Sequence, residues 1–195
     1  MFLEVATTKV LWHVTASLDG FIAPPDDSYE WAFESGYAGP MGGEVMERTG
    51  SILSGRRGFD LGNRAGEGPR GIYGGAWSGR LFVLTHRPAP PTSGVTFHPG
   101  PVEDAVAAAR AAAGDKDVGI FGANVARQVL AAELLDEIYL HLVPVLLGSG
   151  VRLFAADQRV KLRRTRCEPG EQVVDLAFEV LSPRQLSPDL GDRTV

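Results

Sequence analysis

Residues 118–154, VGIFGANVARQVLAAELLDEIYLHLVPVLLGSGVRLF, decide how the chain folds. The apolar run Val118–Phe121 stops at Gly122-Ala123, a helical pattern begins at once, and a second apolar run, Glu137–Leu146, closes on Leu147-Gly148-Ser149-Gly150. Strand, helix and strand in that order is the unit of an α/β sheet. The step from strand to helix over small residues also makes an anion site. The first N–H groups of a helix have no partner within it and point at whatever lies in front of them. A phosphate suits that position.

Upstream, Lys9–Ala16 (KVLWHVTA) is rich in β-branched and aromatic residues and reads as a buried strand, followed by the turn-rich loop Ser17–Asp27. A short helix is expected over Met41–Thr49, then a strand at Ser51–Ser54 that ends at Gly55-Arg56-Arg57. The glycine-rich Asn63–Gly79 reads as a mobile loop. Leu81–Thr85 is a third buried strand, ended by His86-Arg87-Pro88, and the alanine-rich Val102–Ala113 is a helix leading to the strand at Val118. After a helix over Asn124–Leu134 the pattern turns to strands: Glu137–Leu146, Lys161–Glu168 and Gln172–Leu181, the last two joined by Pro169-Gly170. A parallel sheet thereby acquires an antiparallel edge. Pro183–Val195 has no periodicity and reads as a frayed tail.

With 195 residues, 44% of them hydrophobic, the chain can bury one sizeable core, expected as a single domain over residues 1–182. A net charge of -5 argues against binding nucleic acid through its phosphates. The alternating cations Lys161, Arg163, Arg164 and Arg166 read as the solvated face of a strand. Cys167 is the only cysteine, which excludes an intramolecular disulfide and a cysteine-based metal site and fits a reducing compartment. No leader pattern opens the chain and no run approaches the roughly 20 apolar residues of a membrane span, so a soluble cytoplasmic protein without membrane or nucleic-acid partners is expected. His86 and His98 lack acidic or cysteine partners, and no metal site is expected. His13 and His141 fall inside strands and read as satisfied interior histidines.

Three polar or glycine motifs each end a strand: Ser54-Gly55-Arg56-Arg57, Thr85-His86-Arg87 and Gly122-Ala123-Asn124. Ligands of open α/β sheets bind outside the carboxyl ends of the strands, so these motifs are expected to share one nucleotide-binding crevice. The three arginines offer forks for phosphate, and Thr85 a hydroxyl. Neither the G-x-G-x-x-G fingerprint nor the G-x-x-x-x-G-K-[ST] phosphate loop is present, which argues against an ordinary Rossmann dehydrogenase and a P-loop nucleotidase.

The order of these motifs resembles the dihydrofolate reductase-like superfamily, and within it the branch of the riboflavin-biosynthesis reductase domain. The resemblance is carried by Thr15–Ala23 (TASLDGFIA), Gly55-Arg56, Val83-Leu84-Thr85, Phe121-Gly122-Ala123, Leu135-Asp136-Glu137, Val143–Gly150 (VPVLLGSG) and Leu153-Phe154. It implies a three-layer α/β sandwich with a central mixed, mostly parallel sheet of about eight strands and an antiparallel C-terminal hairpin. It further implies an NADPH-dependent reductase that transfers hydride to a C=N or C=O bond of a small heterocyclic or sugar-linked substrate. In that reading Ala16, Gly20, Gly55, Arg56, Arg57, Thr85, His86, Arg87 and Phe121 through Ala126 (Phe121, Gly122, Ala123, Asn124, Val125, Ala126) bind the cofactor. The loop Ser17–Ala23 covers the nicotinamide, and Asp19, Phe21 and Trp31 line the substrate pocket.

The departures from the family concern the substrate. Phe121 stands where riboflavin-pathway reductases carry a glutamate, and Gly122-Ala123 replaces a glycine pair often joined by a cis peptide, a bond that before alanine costs about 3 kcal/mol. The resemblance leaves Asp19 and Glu44 as candidate acids. A ligand-binding protein of the same fold without turnover is the alternative. The long apolar segment Ile138–Leu147, placed near a sheet edge, predicts a homodimer.

Overall fold

The computed structural model describes residues 8–34, 40–64, 68–87, 90–155 and 159–182. The tail 183–195 lies outside them. In chain order the elements are β1 (Val10–Ser17), β2 (Phe21–Ala23), α1 (Pro40–Arg48), β3 (Thr49–Gly55), α2 (Arg56–Arg64), β4 (Arg80–Leu84), β5 (Val95–His98), α3 (Val102–Ala113), β6 (Asp117–Phe121), α4 (Ala123–Ala131), β7 (Glu137–Val143), β8 (Val151–Arg152), β9 (Leu162–Pro169) and β10 (Val174–Val180). Eight strands form one sheet in the order β5-β4-β3-β6-β1-β7-β10-β9. The first six are parallel, β10 pairs antiparallel with β7, and β9 pairs antiparallel with β10. β2 and β8 form a small antiparallel ribbon.

The continuous apolar run of β1 follows from burial on both faces. Val10 and Trp12 enter a core shared with Val106 and Ala109 of α3 and Val125 and Val129 of α4. Leu11, on the other face, packs against Met41 and Val45 of α1. Ala105, Ala109 and Ala113 repeat at the helical spacing on the buried side of α3, so that helix lies close to the sheet. The third layer, α1 and α2, sits across the sheet from α3 and α4, with Phe59 of α2 packed on Ile52, Leu81 and Val83.

Several expectations are corrected. The glycine-rich loop is tied down where it is described: Trp77 is buried, its indole N–H donates to Thr49 O at 2.8 Å, and Ile72 and Tyr73 pack on the same cluster. Residues 68–75 form two 3-10 turns joined at a kink. The helix expected to reach Leu134 ends at Ala131, because Glu133 takes a left-handed conformation (φ 57°) and Leu134 N–H turns back to Val129 O. Among the described residues every peptide bond is trans, that of Gly122-Ala123 included. The segment expected at a sheet edge, β7, lies instead between β1 and β10, which bond it on both sides. The edge argument for a homodimer therefore does not hold there. Among the described residues no helix is long and apolar enough to cross a membrane.

Candidate functional site

Because β4, β3, β6 and β1 are adjacent and parallel, their carboxyl ends lie side by side and bring together segments distant in sequence. Across this edge the order is Thr85, Gly55-Arg56, Gly122–Asn124, then Ala16-Ser17. The helices α2 and α4 start directly from β3 and β6, and they start in contact: a side-chain carbon on Gly55 would lie 3.3 Å from Val125 Cγ2. Gly122, at φ 94° and ψ 135°, makes the turn into α4 with open space beside it, and no side chain caps the helix. The leading N–H groups of α4 are thus left for a ligand.

Arg56 opens α2. Its Nε donates to Asp60 Oδ1 at 2.7 Å, while its buried Nη1 has no partner among the described residues. An unfilled guanidinium donor beside a helix start is what a phosphate oxygen satisfies. Thr85 is buried, and its Oγ1 accepts the N–H of Arg87 at 3.1 Å, a turn that leaves His86 and Arg87 exposed. Arg57, by contrast, is held in a two-pronged ion pair by Asp27, Nε at 3.0 Å and Nη2 at 2.5 Å, which ties α2 to the loop after β2. Asn124 accepts from Gln128 Nε2 at 2.7 Å, and Val125 and Ala126 turn into the core. Of these groups, Arg56 Nη1 and the uncapped start of α4 fit the phosphates of a dinucleotide, whereas Arg57, Val125 and Ala126 are engaged elsewhere.

The loop over the end of β1 is latched. Asp19 accepts the Ser17 hydroxyl at 2.6 Å and the amides of Leu147 at 3.1 Å and Gly148 at 2.6 Å. Gly20 closes the turn at φ 83°, and its carbonyl accepts Leu153 N–H at 2.9 Å. The Ser17 bond, aided by the two amides, holds the Asp19 carboxyl below the usual carboxylate range. It has no proton to give at neutral pH, and the geometry makes it a clasp between two loops rather than an acid. Asp19→Ala is expected to speed amide exchange at Leu147 and Gly148 by more than about tenfold in hydrogen-exchange NMR. In the parent the latch is complete above about pH 4 and is lost as pH falls through the lowered folded value.

The other sequence candidates fall elsewhere. Phe21 is buried beneath the Arg152 guanidinium, 4.9 Å from its ring centroid. Trp31 packs on Val143 and Val173 and donates its indole N–H to Ser28 O, which makes it a core anchor. Glu44 turns outward to Arg166 on the edge strand β9, and that arginine keeps its carboxyl low. On α1, a side-chain carbon at Gly42 would lie 3.9 Å from His141 Nε2.

A chain of polar side chains that the sequence did not reveal lies on this face. Tyr73 Oη is 2.7 Å from His13 Nδ1, His13 Nε2 is 2.5 Å from His141 Nε2, and His141 Nδ1 is 2.6 Å from Asp175 Oδ1. His141 and Asp175 are directly opposed on β7 and β10, and both are buried. Burial, then the neighbouring His141, pushes His13 down to about 3. Below about pH 6.5 the unfolded chain therefore takes up a proton at His13 that the folded one refuses, and stability is expected to fall as pH drops toward 3. Urea unfolding across that range in the parent and in His13→Gln, where the slope should flatten, checks this.

A cavity of about 800 Å³ opens at the opposite end of the sheet, bordered by Lys9, Glu137, Lys161, Arg163 and Glu179. It is remote from the strand ends that gather the three sequence motifs.

A family model described as the RibD C-terminal domain matches residues 8–175. The chain belongs to the RibD C-terminal domain family. The fold of this RibD C-terminal domain recurs in a putative riboflavin biosynthesis protein from Shewanella sp. PV-4, 22% identical over 90% of this chain and 100% of that one, with a TM-score of 0.76. The riboflavin biosynthesis reductase Rib7 of Saccharomyces cerevisiae is 16% identical over 93% of each chain, with a TM-score of 0.61. A dihydrofolate reductase from Enterococcus faecalis, complexed with NADP(H), is 16% identical over 90% of this chain and 98% of that one, with a TM-score of 0.62. No curated protein matches the sequence. The resemblance read from the TASLDGFIA and VPVLLGSG motifs is thus correct, as is the α/β fold it implied.

Proposed function

We propose that this RibD C-terminal domain is an NADPH-dependent reductase that transfers hydride to a C=N or C=O bond of a small heterocyclic or sugar-linked substrate. The convergence of Thr85, Gly55-Arg56 and Gly122–Asn124 at the carboxyl ends of adjacent parallel strands carries this reading. It is supported by the relatives described as a riboflavin biosynthesis reductase and as a dihydrofolate reductase with NADP(H). When bound, NADPH supplies the hydride, and the protein's part is to bind, orient and exclude water.

Arg56 takes the ribose 2′-phosphate and the leading amides of α4 the pyrophosphate, each charge-assisted contact contributing about 1.5–3 kcal/mol. The Ser17–Ala23 loop, held down through Asp19, closes over the end of β1. Phe121 and Tyr73, edge to face with centroids 5.7 Å apart, form an aromatic wall beside Gly122 and present no carboxylate to the substrate. The test is transfer of deuterium from nicotinamide-labelled NADPH to a panel of pterins, flavin precursors and small carbonyls. The expected result is deuterium on one carbon of one acceptor class. Cofactor binding without transfer to any of them would favour the ligand-binding alternative.

A further inference from the structure

The chain Tyr73–His13–His141–Asp175 crosses four separate segments, the kinked loop, β1, β7 and β10, to end on a buried carboxylate. Its outer member is the partly exposed Tyr73, whose ring stacks on His13 at 5.4 Å and meets Phe121, the residue before the Gly122 turn, edge to face. Tyr73 is held at φ 51° and ψ 40°, a left-handed conformation that costs a side-chain-bearing residue about 1–2 kcal/mol. The fold sustains that strain where it places the phenol on His13. Across the rings lies α1, with Gly42 against His141 and Met46 packed on the same cluster as Tyr73 and Phe121; its Glu44 is turned to Arg166, and its Arg48 is held by Asp117 and Glu137. The carboxylate on this face that bonds an imidazole therefore comes from β10, as Asp175, and not from α1.

Hydrogen bonding fixes two arrangements of this chain. With both imidazoles neutral, Tyr73 Oη–H donates to His13 Nδ1, His13 Nε2–H to His141 Nε2, and His141 Nδ1–H to Asp175. With one proton added, His141 donates from both nitrogens, His13 accepts at Nε2 and donates from Nδ1 to the Tyr73 oxygen, and the phenol hydrogen is turned away from His13, Thr49 being the other group hydrogen-bonded to this hydroxyl. Burial beside His141 keeps His13 neutral, so the added proton rests on His141 next to the carboxylate.

We propose that these four residues are a proton relay that opens at Tyr73 onto the substrate side of the nicotinamide site and delivers the proton that completes reduction. The proposal rests on the reductase reading. As hydride reaches the carbon of the C=N or C=O group, the π electron pair moves to nitrogen or oxygen, and that atom takes the proton of Tyr73 Oη–H. His13 Nδ1–H refills Tyr73, His141 Nε2–H refills His13, and His141 keeps its Nδ1 proton on Asp175. The chain returns to its neutral arrangement, and water restores one proton per turnover. Tyr73 is the catalytic residue; His13, His141 and Asp175 position and supply its proton.

The test is imidazole-nitrogen NMR of the isotope-labelled full chain between about pH 8 and pH 5, paired with calorimetric NADPH titration. The relay predicts that one proton enters the pair, that it makes His141 doubly protonated, and that His13 stays neutral while its proton moves from Nε2 to Nδ1. Asp175→Asn, which removes the carboxylate that His141 bonds, should leave His13 in a single tautomer through the range. Tyr73→Phe, which removes only a hydroxyl, should suppress the His13 switch and serves in case Asp175→Asn does not fold. A His13 tautomer that stays fixed through the range, with NADPH bound by the parent, overturns the relay and leaves the reductase reading standing. Failure of the parent to bind NADPH overturns the reductase reading, and the relay's role in reduction falls with it.

Discussion

Arg56→Ala is expected to weaken NADPH binding about 10- to 100-fold and to leave NADH binding within about twofold of the parent, a loss of about 1.5–3 kcal/mol confined to one cofactor. The physical reason is the unequal use of the guanidinium. Its Nε is occupied by Asp60, one helical turn on, which fixes the side chain near the start of α2, while Nη1 remains unpartnered. The ribose 2′-phosphate that distinguishes NADPH from NADH is the group that such a donor serves. Arg57 provides the internal control. Its ion pair with Asp27 already uses Nε and Nη2, so Arg57→Ala should alter the loop more than the cofactor preference. Calorimetric titration of both nucleotides against each variant decides the matter. An equal loss for NADPH and NADH in Arg56→Ala would mean that Arg56 does not read the phosphate.

Gly150→Ala is expected to destabilise the protein by about 3 kcal/mol or more, the largest single-methyl effect predicted for this chain. Gly150 sits at φ 132°, and an added Cβ would lie 2.0 Å from the carbonyl oxygen of Ala23 and 2.9 Å from Pro24 Cα. These are backbone atoms at and just after the end of β2, the strand paired with β8, and cannot swing aside. Relief requires the β2–β8 ribbon to open, and with it the loop that Asp19 latches over the end of β1. Cofactor affinity should therefore fall together with stability. Gly148→Ala is the comparison: its φ of 73° is also left-handed, but the space beside it is open, so only about 1–2 kcal/mol of backbone strain is expected. Urea unfolding of the two variants separates close approach from strain. A loss below about 1 kcal/mol in Gly150→Ala would show that the ribbon yields freely.

The parallel half of the fold was legible because its signals are local. An apolar run that ends in glycine, followed at once by helical periodicity, identifies β6 with α4 within about twenty residues, whereas after β3 only the strand end at Gly55-Arg56-Arg57 was read and the helix α2 was not. Strand order was not local, and the chief errors follow from that. The apolar strength of β7 suggested an edge in need of a partner, whereas that partner is β10, which arrives from more than thirty residues downstream. β5 and β8 were missed because one is four residues long and the other two, too short for alternation to register. Asp19 before glycine looked like turn chemistry or an acid, and its amide partners lie 128 and 129 residues away.

The same limit hid the polar chain. His13 and His141 were correctly placed inside strands, but their contact depends on the register of β1 against β7, and that of His141 with Asp175 on β7 against β10. Tyr73 lay in a stretch whose glycines masked it. What anchors that stretch is Trp77, whose indole reaches back to Thr49. An isolated aromatic pair in a glycine-rich segment, Tyr73 and Trp77, was the available signal that the loop packs.

Calorimetric titration of the purified chain with NADPH, and with NADH beside it, tests the central claim most directly. The site predicts that NADPH binds with a dissociation constant of about 10 μM or tighter and NADH at least about tenfold more weakly, the difference lying in one charge-assisted contact. Absence of heat with either nucleotide, in protein shown to be folded, would contradict it. The gathered strand ends, the uncapped start of α4 and Arg56 would then serve some other anion.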